Sequence, residues 1–197
     1  MPTPAPHPEL YILRHGQTEW NAIGRMQGSL DSPLTAKGRA QAETQRALMA
    51  TQDLTGFSAY SSPQGRAFLT AGIALAGIVG RIETMDSLRE IAVGDWTGAQ
   101  IEALDLPEDT RRTVDGPLWV YDHAPGGEGF FALRQRCHDI LNTLKGPSIL
   151  VMHGMTSRML RAVILGVPDE ELESIAGGQG VIFHLKDNQQ RMLGSAT

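Results

Sequence analysis

The sequence predicts an α/β protein, a three-layer α/β/α sandwich around a mostly parallel central sheet. Short apolar runs at 10–13, 57–61 and 148–152 have the length and composition of buried strands. Segments of helical composition separate them, and that alternation is the mark of a parallel sheet with helices on its faces. In such sheets ligands sit beyond the carboxyl ends of the strands, and a histidine lies just past two of these runs, His15 and His153.

Residues 1–9 are rich in proline and read as a flexible lead, with 10–197 as one domain. Gly16 breaks the first strand, and Thr18 can cap a short helix reaching Ala22. Thr35 is a good N-cap for a helix over 36–50, where Ala, Gln, Glu, Arg and Leu dominate. Pro63 suits the first turn of a helix running to 76. Residues 86–129 carry Trp96, Trp119 and many turn signals, and are expected to form an irregular excursion facing the substrate. Short helices are expected within it near 99–104 and 117–121. Residues 130–144 form an amphipathic helix. A helix over 156–165 follows the strand at 148–152 and is ended by Gly166 and Pro168. Two strands around Asp187-Asn188 close the chain as a hairpin.

At 197 residues and 41% hydrophobic, the chain can bury a sizeable core. Its longest apolar stretch falls far short of the ~20 residues of a membrane span, and the start lacks the pattern of a signal peptide. The lone Cys137 has no disulfide partner within the chain, which fits a cytoplasmic protein. A net charge of -5 argues against nucleic acid or anionic membrane as partner. It leaves room for a small anion bound by a few gathered arginines. The sequence leaves the oligomeric state open.

The run Leu13-Arg14-His15-Gly16 suits phosphate chemistry. Arginine offers a planar fork to two phosphate oxygens, neutral imidazole is a competent nucleophile, and glycine lets backbone approach a ligand. Val151-Met152-His153-Gly154 repeats the pattern of strand, histidine, glycine and helix. Both helices are expected to aim free N–H groups at the same anion.

These elements resemble the histidine phosphatase superfamily, the phosphoglycerate mutase-like proteins. The resemblance runs from LRHGQTEWN through Gln27-Gly28, Pro33-Leu34-Thr35, Ser61-Ser62-Pro63, Arg66-Ala67, LREIAVGDWTG and Pro125-Gly126-Gly127-Glu128 to His153-Gly154. It implies that His15 is the nucleophile that becomes phosphohistidine. Arg14, Arg66 and His153 would bind the phosphoryl oxygens, and Glu90 would protonate the leaving oxygen. Asn21, Gln27 and Gly154 would line the pocket. No metal or other cofactor is implied, and the substrate would be a small phosphorylated metabolite. Met152, Met155 and Gly129 depart from residues usual in the family and bear on pocket shape.

Several features stand aside from this reading. Arg111-Arg112 would serve either as a second anion contact or as a solvated turn. Asp122, His123 and Glu128 lack the spacing of a metal site, and His184 reads as structural. The leading expectation is a phosphomonoesterase. A mutase using the same phosphohistidine is the alternative, disfavoured because family mutases tend to be longer. A catalytically silent binding protein is the third reading.

Overall fold

The computed structural model describes residues 7–104 and 118–194. Six strands form one sheet: β1 (Leu10–Arg14), β2 (Ser58–Ser61), β3 (Glu83–Thr84), β4 (Ser148–Met152), β5 (Ile182–Lys186) and β6 (Gln189–Leu193). Their order is β3-β2-β4-β1-β5-β6. The first four are mutually parallel, and β5 runs antiparallel to both β1 and β6. The expected mostly parallel sheet is therefore present, with a hairpin on one edge.

The helices are α1 (Glu19–Ala22), α2 (Ala36–Met49), α3 (Gly65–Ala74), α4 (Trp119–His123), α5 (Gly129–Thr143) and α6 (Gly154–Leu165). Side chains alternate across the sheet, as strand geometry requires. Tyr11 and Leu13 of β1 join Ile149 and Val151 of β4 in a core with Met49, Ala71 and Ala74 from α2 and α3. Leu10, Ile12, Leu150 and Met152 face the other way and pack with Leu133, Ile140, Met159 and Leu160 of α5 and α6. Both central strands are buried on both faces, which is why they read as unbroken apolar runs rather than alternating ones.

Thr18 and Thr35 cap α1 and α2 as expected, each accepting an N–H three residues on. Gly166 closes α6 in the left-handed conformation at φ 70°, and Asp187 and Asn188 turn the hairpin with φ of 50° and 57°. Three expectations need correction. Pro63 lies ahead of the cap rather than in the first turn of α3, whose N-cap is Gln64. The helix near 99–104 is a single 3-10 turn, Ile101–Ala103. α6 starts at Gly154, two residues before the expected position, so His153 is its N-cap. Arg111 and Arg112 lie outside the described residues.

Candidate active site

The pairing of β1 with β4 sets the site. Arg14 stands opposite Met152, so the next residues, His15 and His153, leave the sheet side by side. The His15 N–H donates to the Met152 carbonyl at 2.9 Å, extending the ladder by one rung. The two rings lie 5.1 Å apart between centroids, tilted by 60°. Both residues are buried.

His15 has a defined tautomer. Its Nδ1 lies 2.7 Å from the Gly16 carbonyl oxygen, which only accepts, so Nδ1 carries the proton and Nε2 keeps its lone pair. Burial, followed by the charges of Arg66 and Arg14, holds this ring well below its ordinary pKa of 6.5. His153 is lowered in the same direction, again by burial first, then by Arg66 and His15. Its Nε2 meets Ser62 Oγ at 2.8 Å, while Nδ1 has no partner among the described residues. An orphaned buried nitrogen of this kind is rare in a folded protein.

Most of the helix ends expected to be free are occupied. Every backbone N–H from His15 through Asn21 is already bonded within the protein. The acceptors are the Met152 carbonyl, Thr70, Gln41, Asn21, the Pro33 carbonyl, Ser32 and Thr18, in that order. At α6 the Met155 and Thr156 N–H groups donate to the Glu90 carboxylate at 3.2 and 3.1 Å. At α3 the Gly65 and Arg66 N–H groups donate to Asp31. Carboxylates from distant loops thus seal two helix N-termini, where a negative charge is favoured. Positive potential at the site comes from arginine side chains instead.

Arg66 is 2% exposed. Its Nη1 donates to the Leu30 carbonyl and to Asp31, at 2.6 and 2.9 Å, and its Nη2 to the Gly28 carbonyl at 3.1 Å. Its Nε has no partner among the described residues. The Arg14 guanidinium packs flat against Gly154, where a Cβ would stand 3.0 Å from Cζ. A side chain there would crowd the cation, which would have to give way by a few tenths of an ångström.

Glu90 is half-buried, and its two oxygens differ. Oε1 accepts from the Ile91 and Thr156 N–H groups and lies 3.1 Å from the Thr156 hydroxyl oxygen, whereas Oε2 accepts from the Met155 N–H. Gln64 joins Glu90 to the arginine side of the site. It accepts the Glu90 N–H at 2.8 Å and donates to the same Gly28 carbonyl that Arg66 reaches. Gln27, next to that glycine, is buried with Oε1 unpartnered among the described residues. Asn21 lies at the rim. Its Oδ1 closes the capping box with Thr18 and accepts from Gln179, so it is tied to those residues rather than to the histidine pair.

His15, His153, Arg14, Gly154, Arg66 and Glu90 are therefore gathered around the carboxyl ends of β1 and β4. Sequence reasoning assigned no role to Ser62, Gln64, Thr70 and Thr156, which orient these groups. Gln45, also missed, donates to the Arg14 carbonyl and to the Val181 carbonyl at 2.9 and 3.1 Å. A readable signal existed for it: Gln41 and Gln45 are polar residues four apart on the buried face of α2. Each of Asp122, His123 and Glu128 is engaged with another partner. Asp122 accepts the Phe130 N–H, His123 meets the Trp119 carbonyl, and Glu128 pairs with Arg136.

A sheet of this order, with two histidines and arginines at its carboxyl edge, defines a phosphoryl-transfer class. The family model of the histidine phosphatase superfamily, branch 1, matches residues 10–193, and the chain belongs to that superfamily. A protein of Salmonella paratyphi C named "Probable phosphoglycerate mutase GpmB" is 39% identical over 176 residues, covering 81% of this chain and 76% of the relative. Among solved structures, a mycobacterial glucosyl-3-phosphoglycerate phosphatase complexed with VO3 superposes with a TM-score of 0.72 at 27% identity, over 96% of this chain and 98% of its own. Bacillus stearothermophilus YhfR gives 0.71 at 31% identity, over 93% and 94%. No helix among the described residues is long and apolar enough to cross a membrane.

Proposed function

We propose that the protein is a phosphomonoesterase that moves the phosphoryl group of a small phosphate ester first to His15 Nε2 and then to water. The observation that carries this reading is the His15 ring. It is neutral by burial, pinned through Nδ1, and its ring lies 5.1 Å from that of His153. Nε2 attacks phosphorus as the bond to the ester oxygen breaks, and Glu90 delivers a proton to that oxygen. Of its two oxygens Oε2 has fewer donors against it, so it is the one suited to carry the proton. Water then attacks the phosphohistidine and returns a proton to Glu90, releasing phosphate.

Charge on the migrating group gathers on its outer oxygens, so catalysis is mostly positioning and neutralisation. Arg14, Arg66 and His153 would meet those oxygens, with no metal called on. Asn21, Gln27, Gly154 and the excursion at 86–129 would shape the pocket around the alcohol. The buried, unpaired thiol of Cys137, pushed up to about 12, suits a reducing cytoplasm and takes no part in the chemistry.

A screen of phosphate release across many phosphorylated metabolites, run beside His15→Ala, tests this. The wild type should release phosphate and carry an acid-labile phosphoryl group, and the variant should lose at least about 10⁴-fold in turnover. The 39% identity to a named mutase supports a second reading, phosphoglycerate mutase activity through the same intermediate. Interconversion of 2- and 3-phosphoglycerate much faster than phosphate release would establish that reading instead.

A further inference from the structure

The loop bearing Glu90 is held from behind by a residue to which the phosphoryl chemistry assigns no task. Arg136 lies on α5. Its Nε and Nη2 grip the two Glu128 oxygens at 2.7 Å each, the bidentate arrangement that gives charge-assisted bonds both strength and direction. Its Nη1 reaches two carbonyls of the loop, Ser87 at 2.6 Å and Arg89 at 2.8 Å. The Arg89 carbonyl immediately precedes Glu90 and also accepts the Thr156 hydroxyl at 2.7 Å. Glu128 completes the clasp from the far side. Its N–H donates to the Ala92 carbonyl at 2.9 Å, and its Oε2 accepts the Ala92 N–H at 3.3 Å.

The backbone on either side of Glu90 is thus bonded to one ion pair. This matters because residues 86–92 contain one 3-10 turn, Asp86–Leu88, and no strand or α-helix to stiffen them. The Arg136 and Glu128 side chains are 19% and 17% exposed, so water competes weakly for the pair.

We propose that Arg136, oriented by Glu128, is the positioning residue that holds the Glu90 carboxyl group at the leaving oxygen. The inference rests on Glu90 being the proton donor. Loss of the clasp should then impair protonation of the leaving group and spare phosphoryl binding and attack by His15. A purely structural role would instead weaken turnover of all esters alike.

The test compares kcat/KM, which reports phosphoryl transfer to the enzyme, for p-nitrophenyl phosphate and a simple alkyl phosphate. The nitrophenolate departs without help, whereas the alkoxide needs a proton. Wild type, Glu90→Gln, Arg136→Met, Arg136→Lys and the double variant Glu90→Gln/Arg136→Met are measured. Arg136→Met should lower the alkyl ester on the order of 10²-fold and p-nitrophenyl phosphate by about threefold or less. Lysine should restore part of the difference, and the double variant should be no worse than Glu90→Gln alone. Equal losses on both esters, or additive losses in the double variant, would overturn the inference while leaving the role of Glu90 intact. A Glu90→Gln variant that treats both esters alike would remove the reading of Glu90 and this inference with it. Should Arg136→Met fail to fold, Glu128→Gln breaks the bidentate grip more gently and is judged by the same ratio.

Discussion

Beside the amino end of β1, His184 donates Nε2–H to Glu9 at 2.6 Å and accepts on Nδ1 from Arg191 at 2.9 Å. Its ring stacks on Tyr11 at 4.4 Å between centroids. At the carboxyl end of the same strand, His15 has one nitrogen pinned to a carbonyl and the other left open, and His153 has an orphaned Nδ1. A carboxylate stands beside the first imidazole, and arginines beside the other two. The same side chain is thus finished structurally in one place and left chemically unfinished in the other. What separates them is how many ring nitrogens the fold satisfies, since all three rings are largely buried.

His153→Ala should break the contrast most sharply. Losing one preorganised donor to a developing charge costs roughly 2.7–4 kcal/mol of barrier, a fall of about 10²–10³ in kcat. A drop below tenfold in steady-state kinetics would leave His153 outside the chemistry.

The next effect is on stability in acid. His15 and His153 are held below 6.5 in the folded chain, by burial first and neighbouring charges second. Below pH 6.5 an unfolded chain takes up protons that the folded one refuses, so stability falls as pH drops and is unaffected well above that point. Each ring contributes up to about 1.4 kcal/mol per pH unit in that window. Denaturant midpoints between pH 7.5 and 5.5 should fall more in the wild type than in His15→Ala/His153→Ala. Equal falls would mean the rings are not the source.

His184→Phe keeps the stack on Tyr11 and removes both hydrogen bonds. It should cost about 1–2 kcal/mol of stability and leave kcat unchanged, as thermal unfolding and turnover on one preparation would show. Gly154→Ala is the smallest change. Its Cβ would press on the Arg14 guanidinium from 3.0 Å, and the displaced cation should cost on the order of tenfold in kcat/KM with little loss of stability.

Much of the fold was readable because β1 and β4 are buried on both faces, so their apolar runs stand out against polar turns. The histidine after each run then follows from the parallel pairing. β3 left no trace, since its two residues, Glu83 and Thr84, are both exposed and form no apolar pattern. The sealing of α6 by Glu90 and of α3 by Asp31 was equally invisible. Those partners are 65 and 34 residues apart, and no local periodicity reports a contact that tertiary packing creates. The clasp of Arg136 on the 87–92 segment is hidden for the same reason.

Gly16 and Gly38 set a boundary for anyone wishing to reshape this catalyst. A Cβ on Gly16 would fall 2.1 Å from the Gly38 carbonyl oxygen, and one on Gly38 would fall 2.0 Å from that of Gln17. Two stretches of main chain touch there with nothing between them, so neither position tolerates even a methyl group without moving α2. Substitutions at either glycine are therefore expected to destabilise the fold rather than to reshape the choice of alcohol.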